Sequence, residues 1–166
     1  DRAMQSYAAC LEKFTGKKLS DIPGTGAAGG LGFAFLWGLP KVKLKPGIDI
    51  VLEAVGLTNE LKDADVVVTG EGCLDFQTAM GKVPVGVAKT AKNYNCKVIA
   101  FAGSVTEEAK KCNEKGIDAF FSILPGVCSL DEAMDTEIAQ KNMRNAAEQV
   151  FRLVLACGKE KSSLHP

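Results

Sequence analysis

Apolar and polar positions follow two different periods along this chain, and the change of period divides it. Residues 1–14 place Met4, Tyr7, Ala8, Leu11 and Phe14 at steps of three and four, which predicts an amphipathic helix. Gly16 and the charged pair Lys17-Lys18 are its expected stop. Residues 31–39 are apolar nearly all round, the pattern of a buried helix, and Pro40 interrupts them. Pro46 suits the first turn of a further helix running through about Leu57. From Asp65 onward short apolar runs take over: residues 66–68, 97–101 and 119–124 are predicted strands. Helical sequence fills the intervals, at 83–94, at 104–115 with Gly116 as stop, and from Ser129 to about Cys157 with a break near Asp135-Thr136. The last stretch carries an apolar stripe of Met143, Ala146, Ala147, Val150, Phe151, Val154 and Leu155. Ser104 with Glu107, and Ser129 with Glu132, have the spacing of capping boxes. Strands alternating with helices predict an α/β fold, a right-handed βαβαβα unit around a parallel sheet.

The first strand should give way at Thr69 to a long loop. Residues 70–82 hold Gly70, Glu71, Gly72, Asp75, Gln77, Thr78, Gly81 and Lys82. Connections in α/β units usually take two to six residues, so a longer one suggests a task beyond connection. Three strand ends, Thr69-Gly70, Ala102-Gly103-Ser104 and Leu124-Pro125-Gly126, are expected on one sheet edge, where open α/β sheets bind ligands. Each carries glycine, which admits a ligand close to backbone. In phosphoryl transfer a carboxylate such as Asp75 or Glu71 can hold magnesium or accept a hydroxyl proton, and a lysine such as Lys82 can neutralise phosphate charge. The same residues have plainer uses: Asp75 and Thr78 can cap the following helix, Glu71 can fix the loop, and Lys82 can be solvated. Phe76 and Val83 stand where a Walker A loop needs glycine and Ser/Thr.

Residues 24–29 match GxGxxG, but no strand precedes them as the dinucleotide fingerprint requires. Two readings stay open for Gly24, Gly26, Gly29 and Gly30. Their backbone amides hold an anion at a helix start, or the glycines let a helix approach another backbone closely. No G-x-S-x-G elbow exists. The one histidine, His165, lies in residues 159–166, expected to be a frayed tail, so histidine-based catalysis is not expected.

Composition narrows the class further. The chain has 166 residues, 46% of them hydrophobic, with 20 basic and 20 acidic side chains. That balance gives no electrostatic case for nucleic acid or an acidic membrane surface, and Lys41, Lys43 and Lys45 read as solvated surface. Six cysteines lack zinc-type spacing, and scattered thiols suit a reduced, cytoplasmic protein. Cys73 has no base in sight and reads as a bystander. No apolar run approaches the roughly 18 residues that span a bilayer. A first residue of Asp rather than Met suggests a processed or truncated chain.

Two segments carry a specific resemblance. Thr69-Gly70-Glu71-Gly72-Cys73-Leu74-Asp75-Phe76-Gln77-Thr78, followed by Gly81-Lys82-Val83-Pro84-Val85-Gly86-Val87-Ala88, resembles the TGEGRxDxQTxxGKxPxGVA signature of bacterial glycerate kinases. Residues 23–32, Pro-Gly-Thr-Gly-Ala-Ala-Gly-Gly-Leu-Gly, are similar to that family's PGxGAAGGxG segment, and shorter blocks at 98–104, 116–119 and 129–133 follow in order. Cys73 stands where the family pattern has arginine. The family's amino-terminal motifs have no counterpart here, so the resemblance is to a carboxyl-terminal portion, with the rest of the protein as its implied partner. It implies a two-domain α/β fold with a three-layer α/β/α, Rossmann-like sheet. Residues 1–64 would then come from an inserted domain and the crossing between domains, and 65–158 from the first domain. It also implies ATP and Mg2+ as cofactors and D-glycerate as substrate, with 2-phosphoglycerate as product. Asp75, Glu71 and Lys82 are the implied catalytic residues. Gly24, Gly26, Gly29, Gly30, Gly70, Gly72, Gln77 and Thr78 are the implied substrate or phosphate contacts; no metal ligands are assigned. The alternative is a non-catalytic module that binds phosphate or a sugar acid, or an inactive fragment.

Overall fold

A computed structural model describes residues 2–158; the expected tail and His165 lie outside the described residues. The chain divides into two compact units, one ending at Val51 and one beginning at Leu52.

The first unit starts with α1 (Arg2–Thr15), the amphipathic helix of the sequence pattern. Gly16 ends it in the left-handed region at φ 69, its N–H donating to the Glu12 carbonyl at 2.8 Å. Helix α2 (Ala27–Gly38) is regular only from Leu31, because Ala28, Gly29 and Gly30 are left-handed. It packs on α1 through Tyr7 and Phe33, whose rings meet edge-on at 6.1 Å. The sequence predicts burial of 31–39, but only Gly32 and Phe33 are buried. Leu31, Phe35, Trp37 and Leu39 are between 39% and 53% exposed. A unit this small has too few elements to cover a helix that is apolar on every side. Helix α3 (Gly47–Ala54) follows Pro46.

The second unit opens with α4 (Leu57–Glu60) and a 3-10 turn, Leu61–Asp63. Leu61 is 2% exposed, and Leu57 packs against the same core. Residues 57–61 thus pack within this unit. Three strands form a parallel sheet in the order β1-β2-β3: β1 (Val66–Leu74), β2 (Lys97–Val105) and β3 (Ala119–Ser122). Along β2, Val98, Ala100 and Ala102 enter a core with Leu74, Val85, Ala88 and Cys112. Ile99 and Phe101 face the other way, towards Val150, Ala146 and Ala147. A strand buried on both faces between helical layers makes the α/β/α arrangement that the resemblance implies, around the parallel sheet that the alternation predicts. The first layer is α6 (Val83–Lys92) with a 3-10 helix, Glu107–Lys115; the second is α8 (Thr136–Gly158). On α8 the expected stripe is only partly covered, with Phe151 at 37% and Leu155 at 65% exposure.

Two caps match the sequence pattern. Ser129 and Glu132 form a reciprocal capping box on α7 (Leu130–Met134), and Gly116 ends the 3-10 helix at φ 106. The helix break at Asp135 is also present, with the Ile138 N–H donating to Asp135 Oδ1 at 2.9 Å. The Ser104–Glu107 box does not form. Ser104 is still in β2, opposite Cys73, and Thr106 takes the N-terminal position of the 3-10 helix. No helix among the described residues is long and apolar enough to cross a membrane, and all six cysteines are free thiols.

Asp118 closes the entry to β2. Its Oδ2 accepts from the Val98 N–H at 2.6 Å and from Lys92 Nζ at 2.5 Å. Burial pushes its carboxyl up, but the Lys92 hydrogen bond, the Val98 N–H and the nearby lysine charges outweigh it, leaving the value below the ordinary 3.8. Because the folded value is the lower one, this stabilisation is present above 3.8 and is lost as pH falls through the lowered folded value. Asp118→Ala strands the Val98 N–H and is expected to cost about 1–3 kcal/mol at neutral pH. Urea unfolding at pH 7 and pH 3 checks it, since the gap between parent and variant should narrow at the lower pH.

Candidate functional site

The first strand does not leave β structure at Thr69. It continues through the signature to Leu74, in register with β2 from Val66↔Lys97 to Leu74↔Val105. The long loop expected at 69–82 is therefore shorter, and Gly70 and Gly103, first read as openings for a ligand, lie inside strands. A Cβ on Gly70 would stand 2.3 Å from the Phe101 carbonyl oxygen, and one on Gly103 would stand 2.9 Å from that of Gly72. Both positions are glycine because neighbouring backbone comes too close for a side chain. The carboxyl ends of β1 and β2 are thus Leu74 and Val105, beyond the expected ends of the runs at 66–68 and 97–101. They are tied by the Thr106 N–H donating to the Leu74 carbonyl at 2.9 Å. Residues 124–126 follow the end of β3 at Ser122.

Immediately past Leu74 the chain builds a polar cluster. Asp75 is extended, at φ −141, and is the N-cap of the short helix α5 (Phe76–Ala79). Its Oδ1 accepts from the Thr78 N–H at 2.9 Å, while its own N–H donates to Thr78 Oγ1 at 3.2 Å. Thr78 Oγ1 donates in turn to Glu71 Oε1, reaching back into β1. Gly81, at φ 117, turns the chain into Lys82, which precedes α6. Lys82 Nζ lies 3.7 Å from Asp75 Oδ1, with Asp75 26% and Lys82 42% exposed. The structure therefore brings Glu71, Asp75, Thr78 and Lys82 together at the carboxyl edge of the sheet.

The electrostatics keep Asp75 ionised. The Thr78 N–H pulls its carboxyl below the ordinary 3.8; desolvation opposes this, and Lys82 and the Thr78 hydroxyl reinforce it. Thr78 is fully buried at 0% exposure, so it sits behind the carboxylates rather than on the open face expected of a phosphate contact. Gln77 and Gly72 are exposed, and nothing lies within 4 Å of where a Gly72 Cβ would stand.

The 3-10 helix supplies neighbours that the sequence pattern does not reveal. Cys112 is buried there, its thiol pushed up by burial and then by the charges of Glu71 and Asp75. Glu108 is lowered by its own backbone N–H and by the Thr106 side chain, against repulsion from Asp75. The one available signal is the spacing of Ala109 and Cys112, the two residues buried in this helix. Three apart, they match the three-residue turn of a 3-10 helix. Cys73 is half-buried.

In the first unit, the glycine segment adopts the close-approach geometry. A Cβ on Gly32 would meet the Gly24 carbonyl oxygen at 2.6 Å. Several of its amides are already committed: Ala27 to Gly24, Gly30 to Gly26 and Phe33 to Thr25, at 3.0–3.3 Å. Beside Gly26, Gly29 and Gly30 lies a cleft of about 530 Å³, bordered by Met4, Tyr7 and Ala8. Its one carboxylate, Glu12, already accepts from the Leu19 and Ser20 N–H groups at 2.9 and 2.8 Å. An apolar cleft facing a carboxylate is poorly suited to an anion, so the anion reading has less support here than close packing.

Comparison with known proteins identifies the family. The model of the Glycerate kinase family matches residues 1–155. A Glycerate kinase of Bacillus subtilis (strain 168) is 44% identical over 152 residues, covering 90% of this chain and 40% of that protein. The Glycerate 2-kinase of Escherichia coli (strain K12) is 44% identical over 133 residues, covering 80% of this chain and 35% of that protein. The crystal structure of a putative glycerate kinase 2 from Salmonella typhimurium LT2 superposes with a TM-score of 0.66 at 40% identity, covering 96% of this chain and 40% of that one. The chain spans about 40% of the length of the first relatives it matches. With nearly all of its residues inside one family's pattern and one homologous fold, the chain belongs to the glycerate kinase family.

Proposed function

We propose that this chain is the carboxyl-terminal part of a kinase that transfers the γ-phosphoryl group of ATP to the 2-hydroxyl of D-glycerate, giving 2-phosphoglycerate. Residues 1–64 would belong to an inserted domain and the crossing to it, and the remainder to the first domain. The observation that carries the reading is an ionised Asp75, paired with Lys82, at the carboxyl edge of a parallel sheet in a chain of this family. Phosphoryl transfer asks little covalent chemistry of the protein; it needs positioning and charge stabilisation. Asp75, ionised at neutral pH, accepts the proton that leaves the glycerate hydroxyl as that oxygen bonds to phosphorus. Lys82 offsets the charge that develops on the phosphoryl oxygens, and Glu71 supports the pair. Gln77 and the open backbone at Gly72 are the substrate-side contacts.

Magnesium is usually held by one or two carboxylates together with substrate phosphates. Asp75 and Glu71 have the hard oxygen donors for that role, although no group of three or more ligating side chains occurs among the described residues. When bound, the ion neutralises charge on the phosphates.

A second reading has its own observations: the chain spans only part of its relatives, and it has Cys73 where the family pattern has arginine. On that reading the chain alone is a binding module. The test is glycerate-dependent ADP release, measured for the chain alone and for a protein extended to the relatives' full length, with calorimetric titration of ATP·Mg2+ and D-glycerate. Turnover by the longer protein is expected. Binding by both without turnover in either supports the module and contradicts the kinase.

A further inference from the structure

We infer that Thr78 is a positioning residue: its buried hydroxyl locks Glu71 and Asp75 into one constellation without touching substrate. The inference rests on the proposed roles of Asp75 and Glu71.

The two carboxylates come from different local structures. Glu71 projects from β1, whereas Asp75 lies past the strand's end and caps α5. Nothing in the backbone alone fixes their separation, because a glutamate side chain has three rotatable bonds. Thr78 joins them. A hydroxyl has one proton and two lone pairs. The proton faces two carboxylate oxygens, Glu71 Oε1 and Asp75 Oδ1, the latter at 3.2 Å; a lone pair accepts the Asp75 N–H at 3.2 Å, and the Thr78 N–H separately holds Asp75 Oδ1 at 2.9 Å. With the side chain at 0% exposure, these contacts do not compete with water. Thr78 is thus too deep to meet a ligand yet is bonded to both groups that would. An ordinary capping box needs only the Asp75 half of this arrangement; the bond to Glu71 is surplus to capping.

The test uses the full-length protein. Thr78→Val keeps the shape and removes the hydroxyl, and is expected to lower kcat about 10- to 100-fold, as small misplacements of catalytic groups do. KM for ATP and D-glycerate should move by less than about threefold, since binding groups are untouched. Thr78→Ser restores the hydroxyl and should recover activity to within about threefold. In a Glu71→Ala background, Thr78→Val should cost clearly less than in the parent, because one of the two groups it positions is gone. An equal loss in both backgrounds, or an inactive Thr78→Ser that melts with the parent, overturns the inference. If Thr78→Val does not fold, the serine variant and its melting temperature decide alone. Asp75→Ala, measured in parallel, separates the levels. Parental turnover there contradicts the functional reading itself, while a collapse there with an active Thr78→Val contradicts only the positioning role.

Discussion

Asp75→Ser in the full-length protein is expected to lower turnover by more than about 100-fold, the range for losing a general base. Serine is the informative replacement. It is as good an N-cap as aspartate, so α5 keeps the oxygen that accepts the Thr78 N–H while the charge disappears. A carboxylate present only to cap a helix is replaceable by serine at little cost. One that accepts a proton or faces phosphate-bound cations is not. The lowered carboxyl value of Asp75 adds a pH expectation. The ionised form persists below the ordinary carboxylate range, so the acid limb of turnover should lie at lower pH than a free aspartate would set. Steady-state kinetics with a melting curve for each variant checks both points, and loss of activity with unchanged melting is the expected pattern.

Gly70→Ala is expected to be the most damaging small substitution in the sheet, at about 3 kcal/mol. The new methyl would lie 2.3 Å from the Phe101 carbonyl oxygen, with the Phe101 carbonyl carbon at 3.3 Å. The obstruction is the backbone of the central, buried strand, which cannot swing aside as a side chain tip can. Either the β1–β2 ladder separates at Gly70↔Phe101 or both strands shift. A loss of that size should lower the melting temperature by roughly 6–12 °C in a chain of this length. Gly72→Ala, two residues on, meets nothing within 4 Å and should stay within about 0.5 kcal/mol. A fall in activity without a fall in stability for Gly72→Ala would support its proposed place on the ligand side, which thermal melts and initial rates can separate.

Those two glycines also show what the sequence could and could not reveal. The apolar runs at 66–68, 97–101 and 119–124 were legible because each is short, β-branched or aromatic, and bounded by turn residues. Their alternation with helices was enough for the parallel sheet. The end of β1 was not legible, because glycine and glutamate are poor strand formers. Gly70 and Glu71 remain in the strand because β2 supplies the pairing, and that partner is more than twenty residues away in sequence. The same long-range pairing holds Ser104 in β2, so its apparent capping box with Glu107 never forms. Burial of 31–39 failed for a different reason. An all-apolar pattern says what a helix needs, not whether the chain supplies it, and Leu31, Phe35, Trp37 and Leu39 are only about half covered. At the site, Asp75 with Thr78 was legible as a cap, and the cap is present. The link from Thr78 back to Glu71 was not, because it depends on how far β1 extends.

The most direct measurement is the identity of the product. Full-length protein, ATP·Mg2+ and D-glycerate should yield ADP and a phosphoglycerate in equal amounts. In the 31P spectrum the new phosphorus should couple to the single proton on C2, as expected for 2-phosphoglycerate. ATP consumed without any phosphoglycerate, or no glycerate-dependent consumption by a protein that is folded and binds both ligands, would contradict the proposed reaction.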